Sequence, residues 1–237
     1  MAEALCGLMG MVAGMLVNLG ADLLPSRKPL REALGCPACG ARMVQRRWPA
    51  IVTLLLAPRC ANCGARQVWR PLGVELTMAV LWAYAWYRFG PSAQLWLFCV
   101  HSLVFVLVFV IDLEHRLVLN RVVLGGITLA LACSLIWSSP SLAQSVLGGL
   151  SGFAIFLLIA MAKPGGMGAG DVKLAVLIGL VVGYPSVLTA LFTGIIVGGI
   201  GAAVLLLLRR VRKGGYLPYG PFMVVGVLAS LLRGEPM

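Results

Sequence analysis

The sequence predicts an all-α, polytopic membrane protein with about eight transmembrane helices and a small cytoplasmic four-cysteine, zinc-binding module between the first two. Three observations predict it. Of the 237 residues, 60% are hydrophobic and 11% charged, with mean hydropathy +0.97. A soluble domain has roughly 45–50% apolar and about 25% charged residues. Apolar runs of spanning length recur along the whole chain, and the basic residues fall almost entirely in alternate gaps between them.

The runs lie at about 4–24, 73–89, 93–112, 118–138, 142–162, 184–208 and 217–233. A shorter one follows Asp171 to about Gly183 and makes the eighth. Crossing a ~30 Å hydrocarbon core takes about 20 helical residues. The eighth run is therefore tilted, extended through the glycines before it, or set in thinned membrane. Residues 1–24 read as a retained first span rather than a cleaved signal. They lack a basic n-region, Glu3 being the only charge before Asp22, and a basic segment follows directly.

With the N-terminus outside, the gaps at 25–72, 113–121, 163–173 and 209–216 are cytoplasmic. They hold 17 of the 19 Lys and Arg; only Arg88 and Arg233 lie elsewhere. This is the positive-inside pattern. It accounts for the net charge of +11 and removes the reason to expect a nucleic acid partner. The organisation expected is a first transmembrane helix at 1–24, a cytoplasmic module at 25–72 and a transmembrane bundle at 73–237.

The module carries Cys36-Pro-Ala-Cys39-Gly and Cys60-Ala-Asn-Cys63-Gly. Each pair suits a tight knuckle turned by its glycine, Gly40 or Gly64. Four thiolates so spaced complete a tetrahedral shell suited to structural zinc. The module is too small for a sufficient apolar core, so a metal would substitute for one. Disulfides are not expected on the cytoplasmic side. Cys6, Cys99 and Cys133 lie in apolar runs and read as small buried hydrophobes.

Charge at membrane depth is costly, which singles out two of the eight acidic residues. Asp112 closes the third run in Ile111-Asp112-Leu113-Glu114-His115-Arg116. Asp171 opens the short run after Gly165-Gly166-Met167-Gly168-Ala169-Gly170. The alternation places both at the cytoplasmic membrane face. Two carboxylates at one depth can share a proton and activate water against a peptide bond. The alternative is structural: Asp112 paired with Arg116 at i+4, and Asp171 favoured by a helix N-terminus. Gly165, Gly166, Gly168 and Gly170 form poor helix and permit close backbone approach. An extended peptide substrate could lie against them, and broken helix is tolerated where it lines a wet cavity.

Together these segments resemble the type IV prepilin peptidase family, the prepilin leader peptidase/N-methyltransferases. Gly14 through Asn18 to Pro25 resembles the family's first-span segment. The two Cys pairs resemble its zinc module, and Arg70-Pro71-Leu72-Gly73-Val74-Glu75 the entry to the second span. Ile111 to His115 and Gly166 to Leu174 resemble its two catalytic motifs, and Pro218-Tyr219-Gly220-Pro221-Phe222 the opening of its last span.

The resemblance implies a GxGD-type intramembrane aspartic protease with Asp112 and Asp171 as the catalytic pair. It would sit in the bacterial inner membrane and cut the basic leader from type IV prepilins or pseudopilins at the cytoplasmic face. Many members then methylate the new N-terminus with S-adenosylmethionine. The departures fall mainly in the N-terminal part, which the family associates with methyl transfer. Leu23 and Leu24 stand where an Arg usually precedes the proline, and Trp48 to Thr53 replace a more polar segment. Two alternatives stay open: cleavage of another substrate, such as preflagellin-like proteins, and a membrane protein with methyltransferase activity alone. Of the remaining polar residues, Glu75 reads as a helix-dipole cap, His101 as a buried, hydrogen-bonded histidine, and Lys173 as a group that either biases the acid pair or meets lipid phosphate.

Overall fold

The computed structural model describes residues 1–26, 36, 39–41, 50, 52–53, 59–65, 69–137, 139–162, 168–207 and 219–234. Among them are eight long helices and no β-strand: α1 (Ala2–Ser26), α2 (Arg70–Phe89), α3 (Ala93–His115), α4 (Asn120–Trp137), α5 (Leu142–Ala162), α6 (Ala169–Val182), α7 (Ser186–Leu207) and α8 (Gly220–Arg233). Each coincides with one of the eight apolar runs.

Helices α1, α3, α4, α5 and α7 are long and apolar enough to cross a membrane, and the chain is a membrane protein. The other three depart from a simple crossing. Helix α2 has the length, 20 residues, but Arg70, Glu75 and Arg88 interrupt its apolar character. Helices α6 and α8 have 14 residues each, about 21 Å at 1.5 Å per residue. Helix α6 starts after Gly168 and ends at Gly183, whose φ of +72° suits a residue without a Cβ. From Asp171 to Val182 it is buried, except for exposed Lys173 and half-buried Val176. Beyond its first turn, such a helix meets protein on most of its circumference.

The chain forms two compact units, Met1–Leu95 and Trp96–Met237. In the first, α1 runs antiparallel to α2, because contact positions fall along one as they rise along the other. A Cβ on Gly14 would lie 2.7 Å from the Glu75 Cα, so the two backbones touch there. One turn on, Asn18 Nδ2 donates to the Pro71 carbonyl at 3.1 Å, and at the end Arg70 pairs with Asp22 at 2.8 Å.

In the second unit α6 is central and touches α4, α5, α7 and α8. Gly148 of α5 and Gly179 of α6 face each other so closely that a Cβ on either would overlap the other's backbone. The Ser145 hydroxyl donates to the Leu180 carbonyl beside them. A Cβ on Gly126 of α4 would press on Leu177 of α6 at 2.9 Å and on Val104 of α3 at 3.0 Å. The ring of Phe222, in the first turn of α8, lies over Gly198 and Gly201 of α7.

Candidate active site

Three helix ends meet in the second unit. Asp112 is in the last turn of α3, Asp171 in the first turn of α6, and Gly220 is the first residue of α8. Both carboxylates are buried, at 4% exposure each. They are near enough for the charge of Asp112 to act on Asp171.

Their surroundings differ. Asp171 occupies the third position of α6, and its Oδ2 accepts the Gly168 N–H at 3.2 Å. The Asp171 N–H in turn donates to the Gly168 carbonyl at 3.0 Å. The helix-terminus reading of Asp171 is thus correct locally and coexists with its place beside Asp112. Asp112 makes no ion pair with Arg116; only the Arg116 backbone N–H returns to the Asp112 carbonyl, at 2.9 Å. Among the described residues, the buried Oδ2 of Asp112 has no hydrogen-bond partner. The backbone of Gly220 lies directly against this carboxylate, where a Cβ would collide with its Oδ2.

The α3–α4 connection ties two of these ends together. Arg116 turns it with a φ of +54°. Val118 then lies against Gly170, where a Cβ would approach the Val118 Cβ to 2.9 Å. Lys173 is exposed and donates to the Asn120 Oδ1 at 2.9 Å, so it holds the connection. Gly168 and Gly170 therefore border the acid pair, while Gly165 and Gly166 lie outside the described residues.

A buried pair of carboxylates cannot readily hold two charges. It keeps one proton between them, with one member as base and the other as acid. An unpartnered buried oxygen costs free energy unless something binds there. A water donating to it would satisfy it, or, when it is protonated, a scissile carbonyl accepting from it.

The four module cysteines form a second centre, within the first unit. Cys36 and Cys63 Sγ are 3.7 Å apart and Cys39 and Cys60 Sγ 3.8 Å, with all four within 4.8 Å of one another. No disulfide joins any of the seven cysteines. The two knuckles have the same construction. The Gly40 N–H returns to the Cys36 carbonyl and the Gly64 N–H to that of Cys60, at 2.8 and 2.9 Å. Both glycines have φ near +70°, at +71° and +68°. The backbone N–H groups of Cys63 and Asn62 hold the Cys60 thiol below its ordinary range. Cys63 goes the other way: the Ala65 N–H favours its thiolate, but hydrogen bonds with Cys39, Cys36 and Cys60 and burial outweigh it and push it up to about 12. Four thiolates this close need a cation, and the set can hold a metal ion.

Two other polar residues sit differently from expectation. Glu75 lies beyond the first turn of α2 and is not a cap; it is buried at 2% exposure and accepts the Ala50 N–H at 2.7 Å. The reason is the backbone contact at Gly14, which turns position 75 into the helix interface. Sequence reasoning missed this acceptor role, since nothing local marks Ala50 as its partner. His101 is buried as expected, with Nδ1 2.7 Å from the Leu97 carbonyl, and its Nε2 has no partner among the described residues.

Residues 97–203 match the type IV leader peptidase family, and residues 8–89 match the bacterial peptidase A24 N-terminal domain. The chain is 30% identical over 201 residues to the prepilin leader peptidase/N-methyltransferase of Bacillus subtilis, covering 84% of this chain and 81% of that one. It is 27% identical over 268 residues to the protein of the same name from Pseudomonas aeruginosa, covering 99% and 92%. The namesake from Dichelobacter nodosus is 30% identical over 213 residues, covering 86% and 72%. No solved structure matches the chain.

Proposed function

We propose, from the premise that the chain belongs to the type IV leader peptidase family, that it is a membrane-embedded aspartic endopeptidase that removes the leader of type IV prepilins or pseudopilins, with Asp112 and Asp171 as its catalytic pair. The single observation that carries the reading is the meeting of these two acids, buried, from helices 59 positions apart in sequence, with the Asp112 Oδ2 left unpartnered.

The chemistry follows from a shared proton. The ionised carboxylate takes a proton from water as it attacks the scissile carbonyl. The protonated one donates to the carbonyl oxygen, and the tetrahedral intermediate collapses with the proton passed to the leaving amine. Gly168 and Gly170 leave backbone room for an extended substrate beside the pair. The enzyme sits in the bacterial inner membrane with its N-terminus outside. Its acids and cysteine module face the cytoplasm, in keeping with the distribution of Lys and Arg.

The metal of the module is zinc. A tetrahedron with Zn–S bonds of about 2.3 Å has S···S edges of about 3.8 Å, and the two short edges are 3.7 and 3.8 Å. Cys36, Cys39, Cys60 and Cys63 fill all four positions, so the ion is architectural. Methylation, named for the relatives, would take its methyl group from S-adenosylmethionine.

The test is cleavage of a prepilin-type substrate in liposomes by the wild type, Asp112→Asn and Asp171→Asn. Each amide keeps the size and removes the shared proton. The reading requires both variants to be folded, metal-loaded and inactive; a variant that cuts like the wild type ends it.

A further inference from the structure

We propose that Gly220 is a positioning residue for Asp112, its missing side chain being the space in which the carboxylate is held against the start of α8. The inference rests on the acid pair proposed above and assigns a task to the segment around Tyr219–Phe222, which the cleavage chemistry leaves without one.

The observations concern one contact seen from both sides. A Cβ built on Gly220 would collide with the Asp112 Oδ2 and lie 3.0 Å from its Cγ. Flexible side chains can often move away from such a Cβ, but this one is buried at 4% exposure on a helix end. Moving it would turn the carboxylate out of the pair. The positive end of the α8 dipole, at the Gly220 N–H, lies beside the carboxylate. The next residue, Pro221, has no N–H, and those of Phe222 and Met223 return to the Tyr219 carbonyl at 3.1 Å each. The Gly220 N–H is thus the backbone group that the first turn of α8 leaves beside the Asp112 carboxylate. The helix end is itself fixed, because Phe222 rests over Gly198 and Gly201 of α7. A side chain at 220 cannot be accommodated by sliding α8 without disturbing that contact.

Gly220 touches no substrate atom in this account. It sets where a reacting carboxylate sits, so its loss acts on turnover and not on docking. A misplacement of about 1 Å costs on the order of 100-fold in rate.

The test measures kcat and KM for a prepilin-type substrate in wild type, Gly220→Ala, Gly199→Ala and Asp112→Asn, with thermal unfolding of each. Gly199 is the control, because a Cβ there meets nothing within 4 Å. Gly220→Ala is expected to lower kcat by about 100-fold with KM changed by less than about twofold, while Gly199→Ala behaves as wild type. The second measurement repeats Gly220→Ala on an Asp112→Ala background. Contact between the two positions makes their effects non-additive: Gly220→Ala lowers the Tm of the wild type and leaves that of Asp112→Ala nearly unchanged. If Gly220→Ala does not fold alone, folding of the double variant still carries the proposal, and its failure to fold overturns it. A wild-type kcat for Gly220→Ala, or equal losses of Tm in the two backgrounds, also overturns it while leaving the acid pair intact. Wild-type cleavage by Asp112→Asn sinks both, and that failure is read on a different variant.

Discussion

Glu75 and Asp112 are both buried carboxylates at helix–helix contacts, and both sit where a glycine of another helix leaves room. Glu75 faces Gly14 and Asp112 faces Gly220. The difference lies in their oxygens. Glu75 accepts the Ala50 N–H at 2.7 Å, whereas the Asp112 Oδ2 has no hydrogen-bond partner and a second acid nearby. A satisfied buried carboxylate holds structure together. An unsatisfied one beside another carboxylate is unfavourable on its own and is retained where something must bind to it. In this molecule the first anchors a residue lying between the two cysteine pairs to α2, and on the proposed reading the second is kept for a substrate.

The largest effect that could break the comparison is at the other acid. Asp171→Asn is expected to lower cleavage by on the order of 10³–10⁴-fold with helix content unchanged, read by initial rates and circular dichroism. The amide can still accept the Gly168 N–H, so the helix start survives while the shared proton is lost. A loss of rate accompanied by loss of helix would reassign Asp171 as structural.

Next is the metal. Cys60→Ser or a strong chelator is expected to release one zinc per chain and expose residues 25–72 to protease, with the helices of the second unit intact. The pH dependence has a definite sign. A thiol pushed up to about 12, as at Cys63, must give up its proton to bind. Apparent metal affinity therefore falls with falling pH, by about tenfold per pH unit for each proton displaced. A chromogenic metal indicator followed from neutral to acidic pH checks this, and pH-independent retention would contradict it.

Smaller effects test the connection between α3 and α4. Gly170→Ala presses on Val118 and is expected to lower kcat by roughly 10-fold; Val118→Ala in the same chain should restore much of it, because contacting residues couple. Smallest is Lys173→Met. It removes an exposed hydrogen bond to Asn120, so a change in stability of about 1 kcal/mol or less is expected, measured by thermal unfolding.

What could be seen in advance follows the range of the interactions. Hydropathy placed all eight helices, because each apolar run is a local property. The four cysteines were legible for the same reason, since each knuckle closes within five residues. Asp112 and Asp171 stood out through the cost of charge at membrane depth. Their separate surroundings did not, since the Gly220 contact joins positions 108 apart in sequence. Glu75 was misjudged because its partner Ala50 is 25 residues away, across a segment with no periodic pattern. The shortness of α6 was visible as a short run, but the burial of most of it depends on α4, α5, α7 and α8 together.

The most direct test sets the two carboxylates side by side, measuring cleavage rate and thermal unfolding for Asp112→Asn and Glu75→Met. Asp112→Asn is expected to be inactive yet at least as stable as the wild type, because a neutral amide is less costly to bury than an unpartnered carboxylate. Glu75→Met is expected to cut normally yet lose about 1–3 kcal/mol, because the Ala50 N–H is left without an acceptor. An active Asp112→Asn, or a Glu75→Met that keeps full stability and loses cleavage, would contradict the division of roles between them.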